Sequence, residues 1–202
     1  HNNMVDPALG RFVSKEASAK DGRWWGGEPI WVTYQRQGGR SATMFWPGSE
    51  AEIAGARPAA YIPFDGKRTP AQRVGQVLAW LDQPASERPG LVTLYFEHYD
   101  VAAHAHGAAS PEARDALRAI DAALAQLLAG LDARALRAGT DLVIVSDHGM
   151  IDVPRGQVAI LDDVLPATLY TTPWVGMVVG IVPNPGHEDA VRRAFVRRHA
   201  HF

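Results

Sequence analysis

Two apolar runs and the long amphipathic stretch between them constrain this chain most. "GLVTLYF" (90–96) is a continuous hydrophobic run of strand length. "SPEARDALRAIDAALAQLLAGL" (110–131) follows, with Ser110 placed to cap a helix and Pro111 at its first position. Its apolar positions 117, 120, 124, 127, 128 and 131 keep the 3.6-residue period of a helix. "TDLVIVSD" (140–147) is a second run of buried-strand type. Continuous rather than alternating apolar strands belong to a sheet covered on both faces, so the expected fold is α/β, layered, with helices on both sides.

The rest of the chain extends this rhythm. "TPAQRVGQVLAWLDQP" has Thr69 as N-cap, Pro70 at the first helical position, and apolar residues at 74, 77, 78 and 81. "SATMFW" (41–46) reads as a strand stopped by Pro47 and Gly48. "EPIWVTYQRQGG" (28–39) reads as a short helix begun by Pro29, or as a strand. "QVAIL" and "GMVVGIVP" are expected strands, "HEDAVRRAFVRR" an expected helix, and residues 1–28 an expected loop. All 202 residues are expected to form one domain, with loop-rich pocket segments in 1–68.

Sites in such folds lie beyond the carboxyl ends of the strands. Both central runs end there in ionisable groups: "EHYDVAAHAHG" after the first, "SDHGM" after the second. Asp100 and His104 are four residues apart and converge on one ion if the turn between them is helical. Asp147 and His148 are adjacent, so both face one centre only where the strand ends and the chain turns; Gly149 frees that turn. The bland alternatives are a loop aspartate with a surface histidine, and a chance D-x-x-x-H. His98, His106 and Glu97 read as surface or supporting groups.

Composition excludes several classes. There are no cysteines, hence no disulfide, thiolate zinc site or cysteine nucleophile. The net charge of −2 gives no field for a nucleic-acid duplex. No run reaches the ~18 apolar residues of a membrane span. The chain starts "HNNMVDP" and stops at "RRHAHF", which reads as a fragment completed by other segments of the same parent protein.

"LYFEHYDVAAHAHG" and "LVIVSDHGM", with "GGEPIWVT", "FWPGSEAEI" and "VLAWLDQPASERPGLVTLY" before them, resemble the nucleotide pyrophosphatase/phosphodiesterase family of the alkaline phosphatase superfamily. The likeness runs from about Asn2 to about Asp152. It implies a hydrolase of nucleotide phosphodiester or pyrophosphate bonds that releases nucleoside 5′-monophosphates. Two zinc ions and a phospho-threonine intermediate are implied with it. Asp100 and His104 match the ligands of one zinc, and Asp147 and His148 those of the other. Asn2 matches the asparagine that donates to a phosphoryl oxygen. Tyr95 matches the base-stacking tyrosine; Trp46, Pro47 and Tyr61 match pocket positions. Ala103 stands in place of the family's glycine and Tyr99 where the family often has a proline or small residue, and no threonine here sits in the nucleophile's context. The family also implies a periplasmic or secreted location. The alternatives are a superfamily relative acting on a lysophospholipid, phosphonate or phosphate monoester, and a non-catalytic metal-binding fragment.

Overall fold

A computed structural model describes residues 3–175 and 179–195. The chain divides into two compact units, Trp25–Asp152 and a second made of His1–Trp24 with Val153–Phe202. In the second unit, β1 (Asn3–Asp6) and β2 (Gly10–Val13) form an antiparallel hairpin. Residues 1–28, expected as loop, therefore contain a ladder. Asp6 caps the turn by accepting from the amides of Ala8 and Leu9, and Gly10 takes the positive φ beside it.

The first unit holds the layered sheet. α1 (Ile30–Arg36) starts after Pro29 and ends before Gly38, so the ambiguous stretch is helical. β3 (Ser41–Met44), β4 (Ala60–Tyr61) and β5 (Leu91–Leu94) form a parallel sheet in the order β4-β3-β5. α2 (Pro70–Leu81) begins where expected: Thr69 and Gln72 close a reciprocal capping box, which satisfies two otherwise unpaired amide donors. Ala42, Met44, Val92 and Leu94 pack with Val74, Val77 and Leu78 of α2 on one face. Leu91 packs with Trp31 and Val32 of α1 on the other. The period-2 alternation along β3 and β5 thus loads both faces, as the layered α/β expectation requires.

α3 (His98–His106) follows β5. α4 (Pro111–Ala133) is capped by Ser110, which accepts from the Ala113 amide. Its Ala123, Leu127 and Leu131 join the α2 face of the core. In the second unit, α5 (Leu161–Val164), β6 (Tyr170–Trp174), β7 (Gly180–Pro183) and α6 (Glu188–Phe195) complete the elements. β6 and β7 pair antiparallel, and Tyr170 meets Phe195 edge-on at 5.7 Å.

Two expected strands are corrected. "TDLVIVSD" has no ladder, and Val143, Ile144 and Val145 are 79%, 69% and 71% exposed. The run has the composition of a buried strand, but among the described residues no strand lies against it. "QVAIL" is likewise no strand; it leaves a 3-10 turn at Arg155–Gln157 and runs into α5. Within "GMVVGIVP", Gly180–Pro183 form β7, and residues 176–178 lie outside the described residues. No described helix is long and apolar enough to cross a membrane.

Candidate metal and nucleotide site

The three parallel strands end on one edge, and the candidate residues collect there. β3 delivers Phe45 and Trp46, β4 ends at Tyr61, and β5 delivers Tyr95 and then α3. Trp46 packs against the Trp31, Val32, Ala51 and Ile53 cluster, which holds it partly buried; Tyr61 is more exposed. Tyr95 is half-buried against the α2-side core, and its amide donates to the Met44 carbonyl at 2.9 Å. Burial first, then the charges of Asp147, Glu97 and Asp100, push the Tyr95 hydroxyl up from its ordinary pKa. It stays a neutral phenol.

α3 is the helical turn that the Asp100–His104 spacing needs. Oδ1 of Asp100 stands 3.4 Å from Nε2 of His104. Ala103, in the position of the family's glycine, is buried inside this helix at negative φ, so its methyl group causes no backbone strain. Tyr99 donates through its hydroxyl to the Ala108 carbonyl at 3.1 Å and holds the exit of the helix.

The "SDHGM" segment comes to the same place. Nε2 of His148 lies 3.8 Å from Oδ1 of Asp100 and 3.6 Å from Oδ2 of Asp147. Nδ1 of His148 is 2.8 Å from the Gly149 carbonyl, so Nδ1–H donates there and Nε2 is the ring nitrogen turned toward the carboxylates. That carbonyl contact, and then the Asp147 and Asp100 charges, raise the pKa of His148. Oδ1 of Asp100 is buried and has no hydrogen-bond partner. A buried, unpaired carboxylate oxygen facing two imidazole nitrogens is a donor set suited to a divalent cation. Among the described residues, no three such side chains are arranged to hold one ion on their own.

The structure thus brings Asp100, His104, Asp147 and His148 together and puts Tyr95, Trp46 and Tyr61 on the same sheet edge. Asn2 lies outside the described residues. His106 is exposed at the end of α3. Burial lowers the pKa of His98, with the Arg73 charge adding to it.

Three further residues support the site. Asp152 accepts from the Ala108 amide at 3.1 Å, joining the loop after α3 to the segment after "SDHGM". Arg73 and Glu97 form a buried pair at the end of β5, with Nη1–Oε2 at 2.5 Å. Arg73 was visible in one respect: position 73 falls on the apolar stripe with 74, 77 and 81. Nothing local marked Asp152, whose partner is distant in sequence.

This is an α/β protein of the layered kind, with a carboxylate–imidazole centre at the carboxyl edge of a parallel sheet. Residues 1–201 match the type I phosphodiesterase / nucleotide pyrophosphatase family, and the chain belongs to it. It is 40% identical over 153 residues to venom phosphodiesterase CdcPDE of Crotalus durissus collilineatus, covering 75% of this chain and 18% of that protein. It is 40% identical over 150 residues to human ectonucleotide pyrophosphatase/phosphodiesterase family member 1, covering 74% of this chain and 16% of the relative. Murine ectonucleotide pyrophosphatase/phosphodiesterase 5 superposes with a TM-score of 0.87 at 30% identity, over 99% of this chain and 54% of that one. An inactive variant of that murine protein in complex with AMP superposes equally well. The chain spans about a fifth of the length of the curated relatives it matches.

Proposed function

We propose that this chain is the ion- and base-binding part of a two-zinc hydrolase of nucleotide phosphodiester or pyrophosphate bonds, which releases nucleoside 5′-monophosphates. One observation carries the reading: the unpaired, buried Asp100 Oδ1 faces the free Nε2 atoms of His104 and His148. Asp100 and His104 would hold one zinc, and Asp147 and His148 the other. Bound zinc would neutralise phosphate charge and lower the pKa of an attacking hydroxyl or water.

The chain's own residues prepare for this. Gly149 orients the His148 ring through Nδ1–H, and α3 fixes the Asp100–His104 spacing. Tyr95 offers a neutral aromatic face for a base, with Trp46 and Tyr61 lining the same edge. Asn2 would donate its amide to a phosphoryl oxygen. The nucleophile of this reading is a threonine supplied from outside these 202 residues, and it carries the phosphoryl group between the two half-reactions. The venom and ecto- names of the relatives support an extracellular or secreted location.

The test uses the full-length protein and p-nitrophenyl thymidine 5′-phosphate. Hydrolysis is expected to vanish on exhaustive chelation and return with Zn²⁺. Asp147→Asn and His148→Ala are each expected to remove turnover while the fold persists. Activity that survives chelation, or stays within about tenfold of wild type in both variants, defeats the reading; the scale to beat is the contribution of a metal that generates the nucleophile.

A further inference from the structure

We propose that Arg73 is a positioning residue for nucleotide recognition, its guanidinium clamping the corner between β5 and α3 so that the Tyr95 ring stands where a base stacks. The inference rests on the nucleotide reading of Tyr95 above.

Arg73 lies in the second turn of α2 with its whole side chain buried. Nη1 donates to the Tyr95 carbonyl at 2.7 Å and to Oε2 of Glu97 at 2.5 Å. Nη2 donates to Oε1 of Glu97 at 2.6 Å, and Nε to the Arg68 carbonyl at 3.2 Å. The guanidinium carbon sits 4.8 Å from the centre of the Phe45 ring, one residue past the end of β3. One planar group therefore ties together the ends of two neighbouring strands, the loop before α2 and the residue before α3.

Two features separate positioning from simple stability. The first is that Tyr95 is held at both backbone polar groups, its N–H by Met44 and its C=O by Arg73. With both peptide planes fixed, the direction in which its ring leaves the strand is fixed too. The second is that Glu97 occupies the N-cap position of α3 but makes no side-chain cap hydrogen bond. Its carboxylate is committed to Arg73 instead. A buried ion pair is weak evidence for stability, because apolar residues of similar volume often pack as well. What an apolar pair cannot supply is the forked link that sets Tyr95 against Glu97.

The experiment compares full-length wild type with Arg73→Lys, Arg73→Met/Glu97→Leu and Tyr95→Ala. Two substrates are used: p-nitrophenyl thymidine 5′-phosphate and methyl p-nitrophenyl phosphate, which carries neither a base nor a second ring. The double variant is expected to keep a cooperative melt near the wild-type temperature. Its KM for the nucleotide ester is expected to rise about tenfold, the scale of one lost stacking contact. Its kcat on that ester, and both constants on the base-free diester, should hold. Tyr95→Ala should raise the nucleotide KM by at least as much. Arg73→Lys should fall between, since an ammonium reaches one acceptor but cannot span the fork. If Tyr95→Ala raises the nucleotide KM and the clamp variants do not, the proposal is overturned while the nucleotide reading stands. Equal losses on both substrates, or loss of the melt in both clamp variants, overturn it in favour of a structural role. A Tyr95→Ala enzyme with unchanged nucleotide KM overturns the stacking role and the proposal together.

Discussion

Glu97 shows how two opposed effects settle a side chain's charge. Burial pushes its carboxyl toward the neutral form, but the hydrogen bonds and charge of Arg73 override that and hold its pKa below the ordinary range. An acid with a lowered folded pKa stabilises the fold at neutral pH. That contribution is lost as pH falls below the unfolded value of about 4.3 and through the lower folded one. Wild type is therefore expected to be more stable than Glu97→Gln at pH 7, by up to about 3 kcal/mol, because glutamine leaves Arg73 buried without a counter-charge. At pH 3 the gap should narrow. Thermal melts of both proteins at the two pH values check this, and an unchanged gap rejects it. The four side chains that meet at the candidate site were legible at this scale because Asp100, His104, Asp147 and His148 stand in short spacings. Arg73 showed only its place on the α2 stripe and not its role, since an arginine on a helix is ordinarily solvated and its Tyr95 and Glu97 partners lie 22 and 24 residues away.

At the scale of elements, the helices were the readable part. α2 and α4 begin where Thr69-Pro70 and Ser110-Pro111 place them, because capping is a local bargain between a side chain and the next amides. Their contact is less local, and two glycines show it. Gly75 on α2 is exposed, and a methyl group there would meet nothing within 4 Å. Gly75→Ala is expected to stabilise by about 0.5–1 kcal/mol through helix propensity alone. Gly130 on α4 faces Leu78 of α2, and a methyl group would stand 2.5 Å from its Cδ1 and 3.2 Å from its Cγ. There the propensity gain of about 1 kcal/mol meets an overpacking cost of about 1–3 kcal/mol. Gly130→Ala is therefore expected to destabilise. Urea denaturation of the pair decides: shifts of the same sign would mean that Leu78 repacks and propensity governs both.

The whole molecule is where reading from sequence stopped. A helix satisfies its own backbone, so its pattern and caps suffice; a strand needs a neighbour, and the neighbour is not in the pattern. "GLVTLYF" becomes β5 because β3 lies beside it, whereas "TDLVIVSD", equally apolar, has no described strand against it and stays exposed. The hairpin at Asn3–Val13 escaped for the converse reason: short strands with mixed side chains carry little periodicity, and their pairing makes them. The exposed run has a physical consequence for the 202-residue chain. Leu142, Val143, Ile144 and Val145 combine high strand propensity with no charge and no proline, and β5 is the edge of its sheet. Exposed runs of this kind recruit copies of themselves. Val143→Lys with Val145→Glu is therefore expected to lower concentration-dependent light scattering of this chain and leave its melting temperature nearly unchanged, since both side chains are mostly exposed. A melting temperature that falls by several degrees would show instead that these side chains are covered in solution, and that the run is a strand after all.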